Sequence, residues 1–197
     1  IGITVADAVG KGIPAALLMA FLRASVRAGV QTGYASHILL SKINNLLWDS
    51  IEDNRFVTAI YGMLDSTNRT FVFSNAGHNP PYVLRADGRV ETTEEAGGFM
   101  LGAFPGVAYD HPTLHLQPCD TLVLFTDGVS EAVGPLDELY GDERLVGCLE
   151  GLCRGPCDEF VRGVLADVQT FAAGTPAADD TTLLAISWTP QGSVAIA

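Results

Sequence analysis

Basic side chains are scarce in this sequence. Of its 197 residues only two are lysine, Lys11 and Lys42, and nine are arginine, against 23 Asp and Glu, for a net charge of −12. Nucleic-acid binding rests on Lys and Arg that neutralise phosphates, so no nucleic-acid partner is expected. Long hydrophobic runs are also lacking. No stretch of about 18 apolar residues is present, so no membrane span is expected. No basic leader precedes an apolar stretch, so no signal peptide is expected either. There are four cysteines, Cys119, Cys148, Cys153 and Cys157. The last three form a C-x4-C-x3-C cluster without an evident fourth zinc ligand, so reduced, packed thiols and a reducing compartment are expected. The nucleophile elbow G-x-S-x-G of serine hydrolases is absent. The turn Gly10-Lys11-Gly12 is not a P-loop, because Gly follows the lysine and Val5 stands where the first glycine belongs.

What is present reads as a globular chain. Apolar residues make up 48% and charged residues 17%, and the length suits one domain or two small ones. Residues 1–6 read as a short buried strand, and a chain that opens within an element predicts a preceding segment. After a turn at 7–12, Pro14 suits the first helical turn, and a helix is expected to run from Ala15 to about Val30. Its first half is apolar on every face, which fits a core helix or one that docks on a partner. Leu39, Ile43, Leu46, Leu47 and Ile51 form a helical stripe over 36–51. Segments 56–64, 69–75, 81–85, 90–92, 113–116 and 121–125 read as strands, with Asp87-Gly88 as a hairpin turn. Helices are expected over 137–151 and 158–172, the second with Phe160, Val164, Val168 and Phe171 on one stripe. Asp158 and Glu159 complement the dipole of its first turn, and Gly174 and Pro176 end it. A strand over 181–188 and a loose tail over 189–197 follow. This order of helices, antiparallel strands, helices and a strand is α+β.

Aspartates stand at three strand termini beside turns. Asp7 ends the first strand, Asp127 follows the apolar run 122–125, and the pair Asp179 and Asp180 precedes the last strand. Divalent cations take oxygen ligands, and two such ions activate water and clamp a phosphate. Asp is also common at turns and caps, so each position has a plain structural reading beside the metal one. His78 lies in the polar turn Asn75-Ala76-Gly77-His78-Asn79-Pro80. It is read as holding that turn by hydrogen bonds, with proton donation as the alternative.

Several motifs carry a resemblance. The segment from Asp7 to Ala20 (DAVGKGIPAALLMA) resembles the D-x-x-G-K-G-x-x-A-A-L-x-M-A segment of SpoIIE/RsbU-type serine phosphatases, the bacterial branch of the PP2C (PPM) metal-dependent phosphatases. Phe56 to Thr58, Asp65, Ala76 to Pro81, Leu101-Gly102, Leu124 to Ala132 and Asp179 to Leu184 recur in the same order. The likeness covers residues 1 to 188, leaving 189–197 as a tail. It implies an α-β-β-α sandwich of two mainly antiparallel sheets flanked by helices. It also implies two Mn2+ or Mg2+ ions whose water attacks a phosphoserine or phosphothreonine. Carried over by motif position, the resemblance implies that Asp7 bridges both ions, that the backbone carbonyl of Ala8 serves the second, and that Asp127 and Asp179 serve the first. Asp180 stands where relatives carry Asn or Asp and is the less specific ligand.

Three departures qualify the match. Relatives carry a G-G-D-x-x-D segment upstream that supplies a further carboxylate, so the second metal site is expected to be incomplete in this chain. Val9 stands where eukaryotic relatives have a histidine acid, so no side-chain acid or base is assigned. Ala6 and Ala8 replace residues that are often Gly and Val. The resemblance further implies a cytoplasmic, bacterial, protein-serine/threonine phosphatase. Its substrate would be a phosphorylated STAS-type anti-anti-sigma factor, and an upstream sensory domain would accompany it. The helices after the glycine turn act as a switch in that family and allow homodimerisation. That gives Ile13, Leu17, Leu18 and Phe21 a partner-binding reading. Two alternatives stand beside this one: an inactive phosphatase-like module that binds a partner, and a phosphoesterase for small molecules.

Overall fold

The computed structural model describes residues 1–51, 55–93, 97–152, 155–189 and 193–197. The chain divides into two units, residues 1–80 with 94–115 and residues 81–93 with 116–197. Each unit holds one antiparallel sheet and its own helices. The fold is α+β, as its residue pattern predicts.

In the first unit, strand β1 (Gly2–Ala8) alternates, with Ile3 and Val5 turned inward, the period of a strand with one buried face. It pairs with β2 (Val57–Asp65), which pairs with β3 (Thr70–Ala76), which pairs with β6 (Thr113–His115). Helices α1 (Ile13–Gln31) and α2 (Ser36–Ser50) pack on this sheet. Leu18, Leu22 and Val26 of α1 join Leu39, Leu40, Ile43 and Leu47 of α2 in one apolar core with Val57, Ala59 and Tyr61.

Helix α1 corrects one expectation. It is 19 residues long with a mean hydropathy of 1.5, so by length and composition it could cross a membrane. The run escapes a simple count because Arg23 and Arg27 interrupt it. It packs on the sheet through one stripe, Leu18, Leu22, Val26 and Gly29, while Ile13, Leu17 and Val30 are exposed.

In the second unit the sheet order is β5 (Val90–Thr92), β4 (Tyr82–Leu84), β7 (Thr121–Phe125), β8 (Leu183–Trp188), β9 (Val194–Ile196). All five residues of β7 are buried, as befits a strand paired on both edges. The β4–β5 hairpin closes through the Arg85 N–H donating to the Arg89 carbonyl, with Gly88 at φ 99°. Helix α4 (Gly141–Gly151) and helix α5 (Cys157–Ala172) cover the sheet. The α5 stripe of Phe160, Val164 and Val168 packs with Leu145, Leu149, Val123 and Phe125.

Three expected elements differ. The tail is not loose, because β9 pairs with β8 through Ile186–Ile196 and Trp188–Val194. Helix α4 begins at Gly141, not 137, because Val133 and Leu139 form a bridge that closes a small loop. A four-residue helix, α3 (Asp127–Ser130), was not expected. Cys119, Cys148 and Cys157 are free thiols; Cys153 lies outside the described residues.

Candidate metal centre

The first unit holds two of the candidate residues, Asp7 and Ala8, at the end of β1. Asp7 is half-buried and sits opposite Thr58 in the β1–β2 ladder. Ala8 is buried opposite Val57, and the Val9 N–H donates to the Phe56 carbonyl at 3.1 Å. The glycine turn then opens α1, with Ala16 N–H donating to the Gly12 carbonyl. Along α1, Leu18 is core and Phe21 is half-buried, while Ile13 and Leu17 are exposed at 78% and 65%.

His78 belongs to the same unit and is buried. Its backbone N–H donates to Asn75 Oδ1 at 2.8 Å, and Asn75 Nδ2 donates to the His78 carbonyl at 2.9 Å. Its Nδ1 lies 2.9 Å from Thr58 Oγ1. These partners are those of a residue that holds its turn.

In the second unit, candidate residues lie where β7 ends and β8 begins. The two strands pair antiparallel up to Phe125 opposite Leu183. Past that pair, Thr126 laces the two exits together. Its N–H donates to the Thr182 carbonyl, its Oγ1 donates to the Asp180 carbonyl at 3.1 Å, and Oγ1 accepts from the Thr182 N–H at 2.9 Å. Thr181 Oγ1 also donates to the Gly128 carbonyl at 3.2 Å. Gly128 is required by this close approach, since a Cβ there would lie 2.3 Å from the Asp180 carbonyl oxygen.

The result is that Asp127 and Asp179, 52 positions apart in the chain, each offer a carboxylate oxygen within 4.8 Å of the other. Two oxygens on opposite sides of one Mg2+ lie about 4.2 Å apart, at about 2.1 Å per bond. Oδ1 of Asp127 is buried without a hydrogen-bond partner among the described residues. A buried carboxylate oxygen left unpaired is costly, and a cation offsets that cost. Asp179 is exposed, and its Oδ1 accepts from the Asp180 N–H at 2.8 Å. The donor set is all oxygen, which suits Mg2+ or Mn2+ rather than soft metals. Asp180 is exposed and anchored through its backbone. Thr126 had not been singled out in the sequence, since a threonine ahead of a turn is ordinary.

Comparison with known proteins gives the lineage. The family model of stage II sporulation protein E (SpoIIE) matches residues 1–189. The phosphoserine phosphatase RsbU of Bacillus subtilis (strain 168) is 31% identical over 131 residues, 66% of this chain and 39% of RsbU. The chain therefore spans about two fifths of that relative. The PP2C domain of SiaA from Pseudomonas aeruginosa superposes with a TM-score of 0.81 at 23% identity, over 93% of this chain and 74% of that one. A Mycobacterium tuberculosis structure of RsbU and RsbW domains matches at 0.77 and 27% identity, over 93% of this chain and 51% of that one. The chain belongs to the SpoIIE family and has the fold of its PP2C-type phosphatase domains.

Proposed function

We propose that this chain is a metal-dependent phosphatase domain that removes phosphate from a phosphoserine of a regulatory protein. The observation that carries the reading is the buried Oδ1 of Asp127, without a hydrogen-bond partner among the described residues, next to Asp179. Family membership supports extending the ligand set to Asp7, the Ala8 carbonyl and, less specifically, Asp180. Divalent cations, Mn2+ or Mg2+, supply a Lewis acid that activates water and offsets phosphoryl charge.

The chain's own residues prepare that site. Thr126 and the close approach at Gly128 hold the two strand exits together, which keeps Asp127 and Asp179 as a preset pair. The Asp180 amide restrains the Asp179 carboxylate. His78 keeps the turn after β3 and is not assigned a proton-transfer role. The kinship with the phosphoserine phosphatase RsbU favours a phosphoserine substrate, and the motif resemblance favours a STAS-type phosphoprotein in a cytoplasmic setting. The exposed Ile13 and Leu17 on α1 support regulation through a partner or a second copy.

The test is phosphate release from a phosphoserine STAS-domain protein in Mn2+. Asp127→Asn should lower kcat/KM about 100-fold or more with an unchanged melting temperature. Turnover that survives both EDTA and this substitution would refute the reading.

A further inference from the structure

Beside the carboxylate pair the second unit carries a cavity of about 420 Å³, within the ligand-sized range of about 300–1,000 Å³. Its walls come from three places: α5 (Leu165, Val168, Ala172), the segment after it (Pro176), and the chain following α3 (Ala132, Val133). These groups are apolar. The ionisable side chains on the wall are Glu131 and Asp179, both acidic. Asp179 thus belongs to the cavity and to the candidate metal pair at once.

The loop that supplies Ala132 and Val133 also displays Leu136, 87% exposed, and Leu139, 53% exposed. A lone exposed leucine means little, but this loop is built to hold its tip outward. Gly134 N–H donates to the Glu138 carbonyl at 2.8 Å, Leu136 N–H donates to Glu138 Oε2 at 2.8 Å, and Val133 bridges Leu139.

We infer that this cavity and the leucine loop form the docking surface for the substrate segment flanking the phosphoserine. The preferred segment carries a large apolar side chain next to Lys or Arg. The inference rests on the phosphatase reading above. An extended chain advances about 3.3 Å per residue, so a phosphoserine at Asp127 and Asp179 delivers its neighbours into a cavity that shares Asp179. The apolar walls select the apolar side chain, and Glu131, which is not a candidate metal ligand, selects the basic one.

The test is binding of a short fluorescent phosphoserine peptide with leucine and arginine around the phosphoserine, measured by anisotropy in Mn2+. A twin peptide carries glutamate at those positions. Ala172→Trp fills the cavity from the last turn of α5 and should raise Kd at least about tenfold. Glu131→Gln, at an exposed position, should raise it about threefold, and it decides the matter if the tryptophan variant fails to fold. The glutamate twin should bind the unaltered protein at least about tenfold more weakly. Equal Kd values across the variants, or equal binding of both peptides, would overturn the docking surface. Hydrolysis of 4-nitrophenyl phosphate by the unaltered protein is followed in parallel. Its absence counts against the phosphatase reading, while the Kd comparison still decides the docking surface.

Discussion

At the scale of single residues, the site depends on a hydrogen atom at position 128. Gly128 does not need a left-handed backbone; it needs the space that the Asp180 carbonyl takes. Gly128→Ala should cost about 1–3 kcal/mol through overpacking. Because the strain pushes the two strand exits apart, Mn2+ affinity should fall with it. Chemical denaturation and a metal titration on the same sample check this, and unchanged values for both would show that the exits do not move together. The residues around this point were unequally legible. Asp127 and Asp179 stand out by residue type at strand ends. That they meet could not be read from periodicity, because it follows from the β7–β8 register. Thr126 escaped notice for the same reason: its three hydrogen bonds exist only once Thr182 and Asp180 arrive opposite it. His78 shows the converse, since the polar turn around it already suggested a fastening role, and the reciprocal bonds with Asn75 have that form.

At the scale of elements, strong patterns gave good boundaries and short ones did not. The α5 stripe and the β7 apolar run are long enough for their period to identify them. The Asp87-Gly88 pair marked its hairpin because few residues tolerate that turn. Helix α3 and strand β9 are four and three residues long, too short for any period to show. Strand β9 owes its place to pairing with β8 rather than to local preference. Helix α1 looked apolar all round, and its packing separates the faces. Leu22 is 2% exposed and Leu17 is 65% exposed. Leu22→Ala should therefore cost about 2–5 kcal/mol, whereas Leu17→Ser should stay within about 0.5 kcal/mol. Urea unfolding of both variants checks the contrast. A large loss from Leu17→Ser would mean that this face is covered in solution.

At the scale of the whole molecule, each of the two units has its own sheet and its own apolar core. Neither core contains the candidate ligands Asp127 and Asp179, so metal should not be needed for folding. EDTA should leave the far-ultraviolet circular dichroism and the cooperative melt in place. Added Mn2+ should raise the melting temperature in a concentration-dependent way, since it binds the folded state. Loss of the cooperative melt in EDTA would make the metal structural. The most direct test of the central claim, that Asp127 and Asp179 hold a divalent cation, is a calorimetric Mn2+ titration of the protein beside its Asp127→Asn variant. The account predicts saturable binding that weakens at least about tenfold in the variant, with both proteins equally folded. Equal affinity in the two would contradict it.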